Sequence, residues 1–232
     1  MNEHIFSAVN LLKLVRQETD SIGVSLSFGK DSLATLDLCC AVFDRVEAFY
    51  LYRVRDLEIV KKYSQYVKDR YNVEVRMFPH FDLCRCYKYA VLQPHWKNLS
   101  KKVPVVKMRD IENQFRAEKN IVWIAYGWRR NDSFSRALIM KQTKGFDYKN
   151  KRVFPLRSWN RKDVIDFLNK RKIPIPNSFG RKEQGGLDFH PEALRYLKEN
   201  FKEDYEKWIV DFPFSEVQLL SNDNNQKEKE KK

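Results

Sequence analysis

Apolar residues recur at two spacings along this chain, and the alternation between them predicts the order of the secondary structure. Helical spacing near the start predicts an amphipathic helix over residues 2–19, whose inner positions are Ile5, Phe6, Val9, Leu12 and Val15. The short β-branched run Ile22–Val24 predicts a strand, and the apolar positions of residues 33–42 return to helical spacing.

The same alternation continues through the middle of the chain. Residues 48–52, 73–78 and 121–126 read as strands, while residues 56–71, 108–119 and 160–173 read as helices. Residues 81–107 show no clear period, and we expect a helix followed by an insertion. Alternating strands and helices indicate an α/β protein built from parallel βαβ units with right-handed crossovers.

The pattern changes towards the end of the chain. Two helices are predicted there, one from His190 and one from Asp204, and no apolar residue follows Ser221. We therefore predict an α/β domain over residues 1–180, a helical appendage over 181–220 and a disordered charged tail over 221–232.

Composition narrows the classes of function. The chain has 232 residues, and 44 Lys and Arg against 31 Asp and Glu give a net charge of +13, which favours anionic partners. No apolar run approaches the roughly 20 residues of a membrane span. Glu3 and His4 replace the basic start of a signal peptide, so we expect a cytoplasmic protein that binds no membrane. In that setting the four cysteines are free, catalytic or metal-binding rather than disulfide-bonded.

The first candidate for chemistry is the small-residue turn Ser25–Ser32 between the first strand and its helix. Helix N-termini favour anions, and Gly29 lets a phosphate approach the backbone. An ordinary capped turn uses the same residue types. A Walker loop does not fit, because Gly23 and Gly29 are one residue too far apart and Asp31 replaces the hydroxyl residue.

The second candidate is Gly127–Arg136, directly after the apolar run 121–126. A glycine, a capping Ser or Asp and three arginines (Arg129, Arg130, Arg136) suit a second phosphate site at the same sheet edge. A solvated charged face is the alternative. Tyr52, at another strand end, either stacks beside a base or is a half-buried structural tyrosine.

The third segment, Pro155–Val164, begins a helix with Asn160 as N-cap and Asp163 as its reciprocal partner.

Together the three segments resemble the PP-loop ATP pyrophosphatases of the adenine nucleotide alpha-hydrolase superfamily, in the phosphoadenosine-phosphosulfate (PAPS) reductase-like branch. That branch shows S-x-G-K-D-S, then G-x-R-R-x-x-S-x-x-R, then P-L-x-x-W-[TSN]-x-x-D-V. The matching segments here are Ser27–Ser32, Gly127–Arg136 and Pro155–Val164, followed by Ile173-Pro174-Ile175-Pro176. The resemblance covers residues 20–190.

The resemblance implies an open, mostly parallel sheet of five or six strands with helices on both faces and an adenine nucleotide across the strand ends. It implies ATP with Mg²⁺ as cofactor, or PAPS as the alternative. Its implied catalytic residues are Lys30, Asp31, Arg129 and Arg130. Its implied nucleotide-binding residues are Ser27, Phe28, Gly29, Ser32, Gly127, Ser133 and Arg136, and the strand-end position adds Tyr52 to this set.

The chain departs from the reductases at their catalytic cysteine. Their C-terminal E-C-G-x-H motif is missing, and the last cysteine is Cys86, so the required thiolate is absent from its usual place. An iron–sulfur cluster is not expected. Cys39-Cys40 lies on the first loop's helix, where core packing is favoured. Cys84-Arg85-Cys86 lacks C-x-x-C spacing, although a role in sulfur chemistry stays open.

The resulting hypothesis is an enzyme that cleaves ATP between the α- and β-phosphates and adenylates an acceptor, in nucleic-acid or sulfur metabolism. The alternatives are thioredoxin-linked PAPS reduction through Cys84 or Cys86, and a nucleotide-sensing module paired with a DNA-binding protein. DNA or RNA is one acceptor that the positive charge permits. The sequence leaves a homodimer open.

Overall fold

Six strands form a single sheet in the computed structural model, which describes residues 3–94, 103–174, 186–217 and 219. Strands β1 to β6 span Ser21–Ser25, Arg45–Tyr52, Val75–Pro79, Ile124–Tyr126, Phe146–Asp147 and Arg152–Val153. Helices α1 to α5 span Glu3–Arg16, Lys30–Cys40, Glu58–Tyr71, Leu83–Lys88 and Met108–Lys119. Helices α6 to α9 span Phe134–Thr143, Arg161–Lys170, Pro191–Asn200 and Lys202–Asp211.

The strand order is β3-β2-β1-β4-β6-β5. Strand β1 pairs in parallel with β2 and β4, β4 pairs in parallel with β6, and only the pairing of β5 with β6 is described as antiparallel. This arrangement confirms the predicted α/β class with a mostly parallel sheet of six strands. The order reverses between β1 and β4, and open α/β sheets bind ligands at such a switch point.

The chain forms two compact units that interleave along the sequence. The first comprises Met1–Tyr50, Tyr66–Met77 and Glu112–Pro176, and the second comprises Leu51–Gln65, Phe78–Ile111 and Asn177–Lys232. Every predicted site residue except Tyr52 therefore belongs to the first unit.

Two buried carboxylates fix the first unit around β1 and β4. Asp37 on α2, 3% exposed, accepts hydrogen bonds from the Tyr71 hydroxyl and the Arg171 guanidinium. Glu112 on α5, 1% exposed, accepts from the Tyr126 hydroxyl and, at 2.8 Å, from both Nε and Nη2 of Arg152. The second network fixes the last residue of β4, immediately before Gly127.

The cap predicted in the third segment is confirmed. Asn160 Oδ1 accepts from the Asp163 amide at 3.0 Å, and Asp163 Oδ2 accepts from the Asn160 amide at 2.8 Å. Trp159, 1% exposed, donates its indole N–H to the His4 carbonyl and so ties this segment to α1. The third segment is therefore a structural joint of the first unit.

Packing in the second unit depends on a cap supplied from far along the chain. Asp204 on α9 is fully buried, and its carboxylate accepts from the amides of Glu58 and Ile59 at 2.6 and 2.9 Å. These are orphan donors of the first turn of α3, which a carboxylate satisfies particularly well. Around Trp208, the rings of Phe189 and Phe212 form an aromatic cluster.

Some elements differ from their predictions. Helix α1 ends at Arg16 rather than near residue 19, and β4 begins at Ile124 rather than residue 121. Strands β5 and β6 were not predicted, because two-residue strands have no measurable period. Helix α6 was also not predicted. Residues 175–185 and 221–232, which include the second half of the Ile173–Pro176 match and the predicted tail, lie outside the described residues. The separate helical appendage stays a prediction.

Candidate functional site

Hydroxyl groups close the turn after β1 through hydrogen bonds. Ser32 Oγ donates to the Gly29 carbonyl at 2.9 Å, accepts from the Ser27 amide at 3.2 Å and lies 3.3 Å from Ser27 Oγ. Helix α2 begins at Lys30 with Gly29 in extended conformation as its N-cap. The main-chain amides of its first turn lack intrahelical acceptors and favour an anion.

Phe28 anchors this turn through its side chain. Its φ is +56°, an uncommon value for a non-glycine residue, and its side chain is completely buried. The ring lies 5.0 Å, between centroids, from that of Tyr50. Any contact of Phe28 with a nucleotide therefore involves its main chain, while its ring holds the turn against the core.

Gly127 allows the end of β4 to approach the start of α2 closely. A Cβ at this position would lie 2.8 Å from the carbonyl carbon and oxygen of Asp31 and 3.0 Å from the amide nitrogen of Ser32. These are backbone atoms and cannot rotate away. The two predicted segments, one after each strand, are therefore adjacent because residue 127 has no side chain.

A chain of ion pairs joins the two segments. Asp31 contacts Lys30 Nζ at 2.6 Å through Oδ2 and Arg129 Nε at 3.1 Å through Oδ1. Arg129 continues to Asp132 at 2.7 Å, and Asp132 also receives Arg136 at 2.7 Å. Three cations and two carboxylates thus alternate across the switch point.

Burial makes this network electrostatically strong. Lys30 and Arg129 are 8% and 4% exposed, so solvent screens their charges weakly. Burial lowers the pKa of the Lys30 ammonium, and the ion pair with Asp31 opposes that change. The local excess of one positive charge lies beside the main-chain amides of α2, a combination that suits an anionic ligand.

Asp132 is the residue that the sequence analysis did not single out. It accepts from the amide of Arg129 and from two guanidinium groups, and it is half-buried. No helical period carried that signal, because Arg129 and Ser133 are extended and Ser133 separates the 3₁₀ turn Arg130–Asp132 from α6. Ser133 is the predicted capping serine, and its Oγ accepts from the Arg136 amide at 3.3 Å.

The predicted arginines do not all share this network. Arg136 lies 5.0 Å from the Trp128 ring and pairs with Asp132, close to Arg129. Arg130 is exposed and lines a cavity of the same unit beside α6. The structure therefore brings Ser27, Gly29, Lys30, Asp31, Ser32, Gly127, Arg129, Ser133 and Arg136 together and leaves Arg130 outside the ion pairs.

The second unit contains its own cavity of about 520 Å³, which Tyr52, Arg53, His80 and Cys84 help to line. The Tyr52 hydroxyl accepts from Arg55 Nε at 2.7 Å. Burial and the nearby Arg53 guanidinium lower the pKa of His80 to about 4. Its ring nitrogens lie 3.3 Å from Arg53 Nη2 and 3.1 Å from the Asp82 amide, both donors, which also disfavours protonation.

The cysteines are all free thiols. Burial raises the pKa of Cys39 strongly and that of Cys40 to about 12. Cys84 Sγ donates to the Phe81 carbonyl at 2.9 Å, and burial raises the pKa of Cys86. For Cys39, Cys40 and Cys86, burial therefore favours the thiol over the nucleophilic thiolate. Within the described ranges, His, Cys, Asp and Glu residues form no group of three suited to a metal.

The fold and the site define a protein of the PP-loop, adenine nucleotide alpha-hydrolase type. A sequence model of the phosphoadenosine phosphosulfate reductase domain matches residues 21–182, and the chain belongs to this family. A comparison with curated proteins found no sequence match. Among the described helices, none has the length and apolar character that a bilayer crossing requires.

Solved structures share the fold at low sequence identity. The U34-tRNA thiolase NcsA from Methanococcus maripaludis, solved with its 4Fe–4S cluster, is 15% identical, with a TM-score of 0.52 over 93% of this chain and 78% of that chain. The PAPS reductase from Candida auris, in a phosphate complex, is 14% identical, with a TM-score of 0.51 over 80% and 95%. Yeast FAD synthetase in complex with FAD is 16% identical, with a TM-score of 0.54 over 88% and 76%.

Proposed function

We propose that this chain binds ATP at the turn between β1 and α2, cleaves it between the α- and β-phosphates and transfers AMP to an acceptor. The observation that carries the proposal is the Asp31–Arg129 contact, which brings the phosphate-type turn and the arginine segment to one place. The enzymatic character of the superfamily relatives supports a catalytic role over a purely structural one.

In the proposed step, a nucleophilic atom of the acceptor attacks the α-phosphorus. A bond forms between that atom and phosphorus, the bond to the bridging oxygen breaks, and pyrophosphate leaves with that oxygen. The acceptor's proton passes to solvent. The first amides of α2, Lys30 and Arg129 stabilise the charge that develops on the phosphates, so catalysis is mainly positioning and electrostatics.

Asp31 fits a magnesium ion that arrives with the nucleotide. Its Oδ1 is buried and accepts no hydrogen bond from the described residues, although Arg129 Nε lies nearby. One carboxylate together with substrate phosphates is a usual magnesium environment. When bound, the ion would neutralise part of the negative charge of the nucleotide phosphates. Nucleotide binding then requires Asp31 to give up part of its contact with Lys30 or Arg129.

The test has a binding stage and a chemical stage. Native mass spectrometry with ATP–Mg²⁺ and PAPS identifies the preferred nucleotide, and α-labelled ATP then reports AMP and pyrophosphate with protein, RNA and DNA acceptors. We expect Lys30→Met to lower turnover by about 10²–10³-fold. The control Lys162→Met, at a lysine that is 82% exposed, should retain full turnover.

Two results would contradict the adenylation proposal. Tight ATP binding without AMP or pyrophosphate from any acceptor contradicts adenylation and favours a nucleotide-sensing module. Preference for PAPS, with sulfite release that depends on thioredoxin and is lost in Cys84→Ser, establishes the reductase alternative instead. The family match and the position of Cys84 in the cavity of the second unit favour that alternative.

A further inference from the structure

Helix α6 presents large apolar side chains to solvent. Phe134 is 86% exposed at its first position, and Leu138, one turn later on the same face, is 46% exposed. Burying a phenylalanine contributes roughly 1.5–3 kcal/mol, and the fold does not use this ring for that purpose. An exposed ring at a helix start, followed by a second apolar residue, indicates a contact surface.

The same face borders a cavity of about 610 Å³ with a strongly basic wall. Besides Phe134 and Leu138, its lining includes the cations Arg130, Lys141, Lys144 and Arg157, and none of the described lining residues is acidic. No described carboxylate lies within ion-pair distance of these four side chains. The main chain fixes two of them relative to each other, because the Arg130 amide donates to the Arg157 carbonyl at 3.1 Å.

We infer that this groove along α6 binds a short single-stranded segment of nucleic acid. The four cations would contact successive phosphates, and Phe134 would stack with an unpaired base. A positive groove with an exposed aromatic ring is the arrangement that proteins use for single strands, because every base offers a π-face. A duplex keeps its bases stacked inside and leaves the ring without a partner.

The inference gives the proposed adenylation a substrate class, and in that respect it rests on the proposed function. Arg129 belongs to the ion pairs around Asp31, and the adjacent Arg130 lines the groove. A strand bound along α6 would therefore pass beside the candidate phosphate site, with one unpaired base available as the acceptor. RNA and DNA single strands share this chemistry.

The test measures binding without ATP. Fluorescence anisotropy with labelled 12-residue single strands of RNA and of DNA gives the dissociation constant at several salt concentrations. Four phosphate contacts predict an affinity that falls with about the third power of salt concentration. Phe134→Ala should weaken binding at least about fivefold, and Phe134→Trp should restore it.

Charge-reversal variants inside and outside the groove test whether the strand binds along α6. Lys141→Glu with Lys144→Glu should weaken binding and reduce the salt dependence, whereas Lys149→Glu with Lys170→Glu, which make the same charge change at exposed positions outside the groove, should affect it much less. The order of affinity for RNA and DNA identifies the natural source of the strand.

Equal binding of duplex and single strands, insensitivity to Phe134→Ala, or tighter binding of an acidic polypeptide would overturn the inference. Measurements of ATP binding and AMP production test the proposed function separately. The groove variants should still bind ATP, and a wild-type protein that binds single strands but produces no AMP retains the groove and loses only the adenylation.

Discussion

Replacing Gly127 by alanine tests the close approach on which the candidate site depends. The added Cβ would lie 2.8 Å from the Asp31 carbonyl, well inside the 3.5–4.0 Å at which carbon atoms pack favourably. Because backbone atoms form the obstacle, β4 and α2 must move apart. Overpacking of this kind costs about 1–3 kcal/mol, which corresponds to a decrease in Tm of roughly 2–12 °C for a chain of this length.

Two other glycines provide matched controls for this variant. At Gly29 an added Cβ would meet only Ser27 Oγ, at the ordinary distance of 3.4 Å, and at Gly186 it would meet nothing within 4 Å. We expect Gly29→Ala to weaken ATP binding at nearly unchanged stability, because the methyl group blocks the phosphate approach. Gly186→Ala should change neither property, and Gly127→Ala should impair both.

Thermal unfolding and isothermal titration with ATP–Mg²⁺ measure the two properties independently. If Gly127→Ala unfolds at the wild-type temperature and binds ATP with the wild-type Kd, the two segments do not form one site. If Gly29→Ala also binds normally, the phosphates lie elsewhere, and the electrostatic argument around Asp31 fails with them.

Three further changes test the packing around the site and in the second unit. Asp204→Ala should lower the free energy of unfolding by about 1–2 kcal/mol in urea, because the first amides of α3 lose their buried acceptor; an unchanged midpoint would refute this cap. Glu112→Gln should cost about 3 kcal/mol, because Arg152 remains half-buried without its carboxylate, and Glu118→Gln is the exposed control. His80 stays neutral in the folded chain down to about pH 4 but titrates near 6.5 when unfolded, so stability should fall by about 3 kcal/mol as the pH decreases from 6.5 to 4. His80→Asn should remove that part of the pH dependence.

The sequence predicted the first half of the sheet and the proximity of the two candidate segments, because both follow from local signals. The small-residue turn, the apolar run before Gly127 and the reciprocal cap at Asn160 each depend on a few neighbouring residues. The expectation that Ser27–Ser32 and the arginine segment converge required only the rule that parallel strands end at one edge. The Asp31–Arg129 contact is the corresponding observation.

Long-range partners explain what the sequence did not predict. Strands β5 and β6 exist because they pair with each other and with β4, not because two residues have a period. The roles of Asp132 and Asp204 depend on which cations and amides they meet, and for Asp204 those amides lie about 145 residues away. The different surroundings of Arg129 and Arg130, adjacent residues of one motif, become visible only in three dimensions.

The interleaving of the second unit along the sequence affects the order in which the chain folds during synthesis. Because Asp204 supplies the carboxylate that covers the start of α3, that helix cannot reach its final state while the ribosome still holds the later residues. The β1 turn and its arginine partners precede residue 137, and Arg152 and Arg171, which fix the surrounding unit, precede residue 172. During synthesis the candidate phosphate site should therefore form first. A fragment that ends before residue 190 should retain this site, while α3 remains frayed.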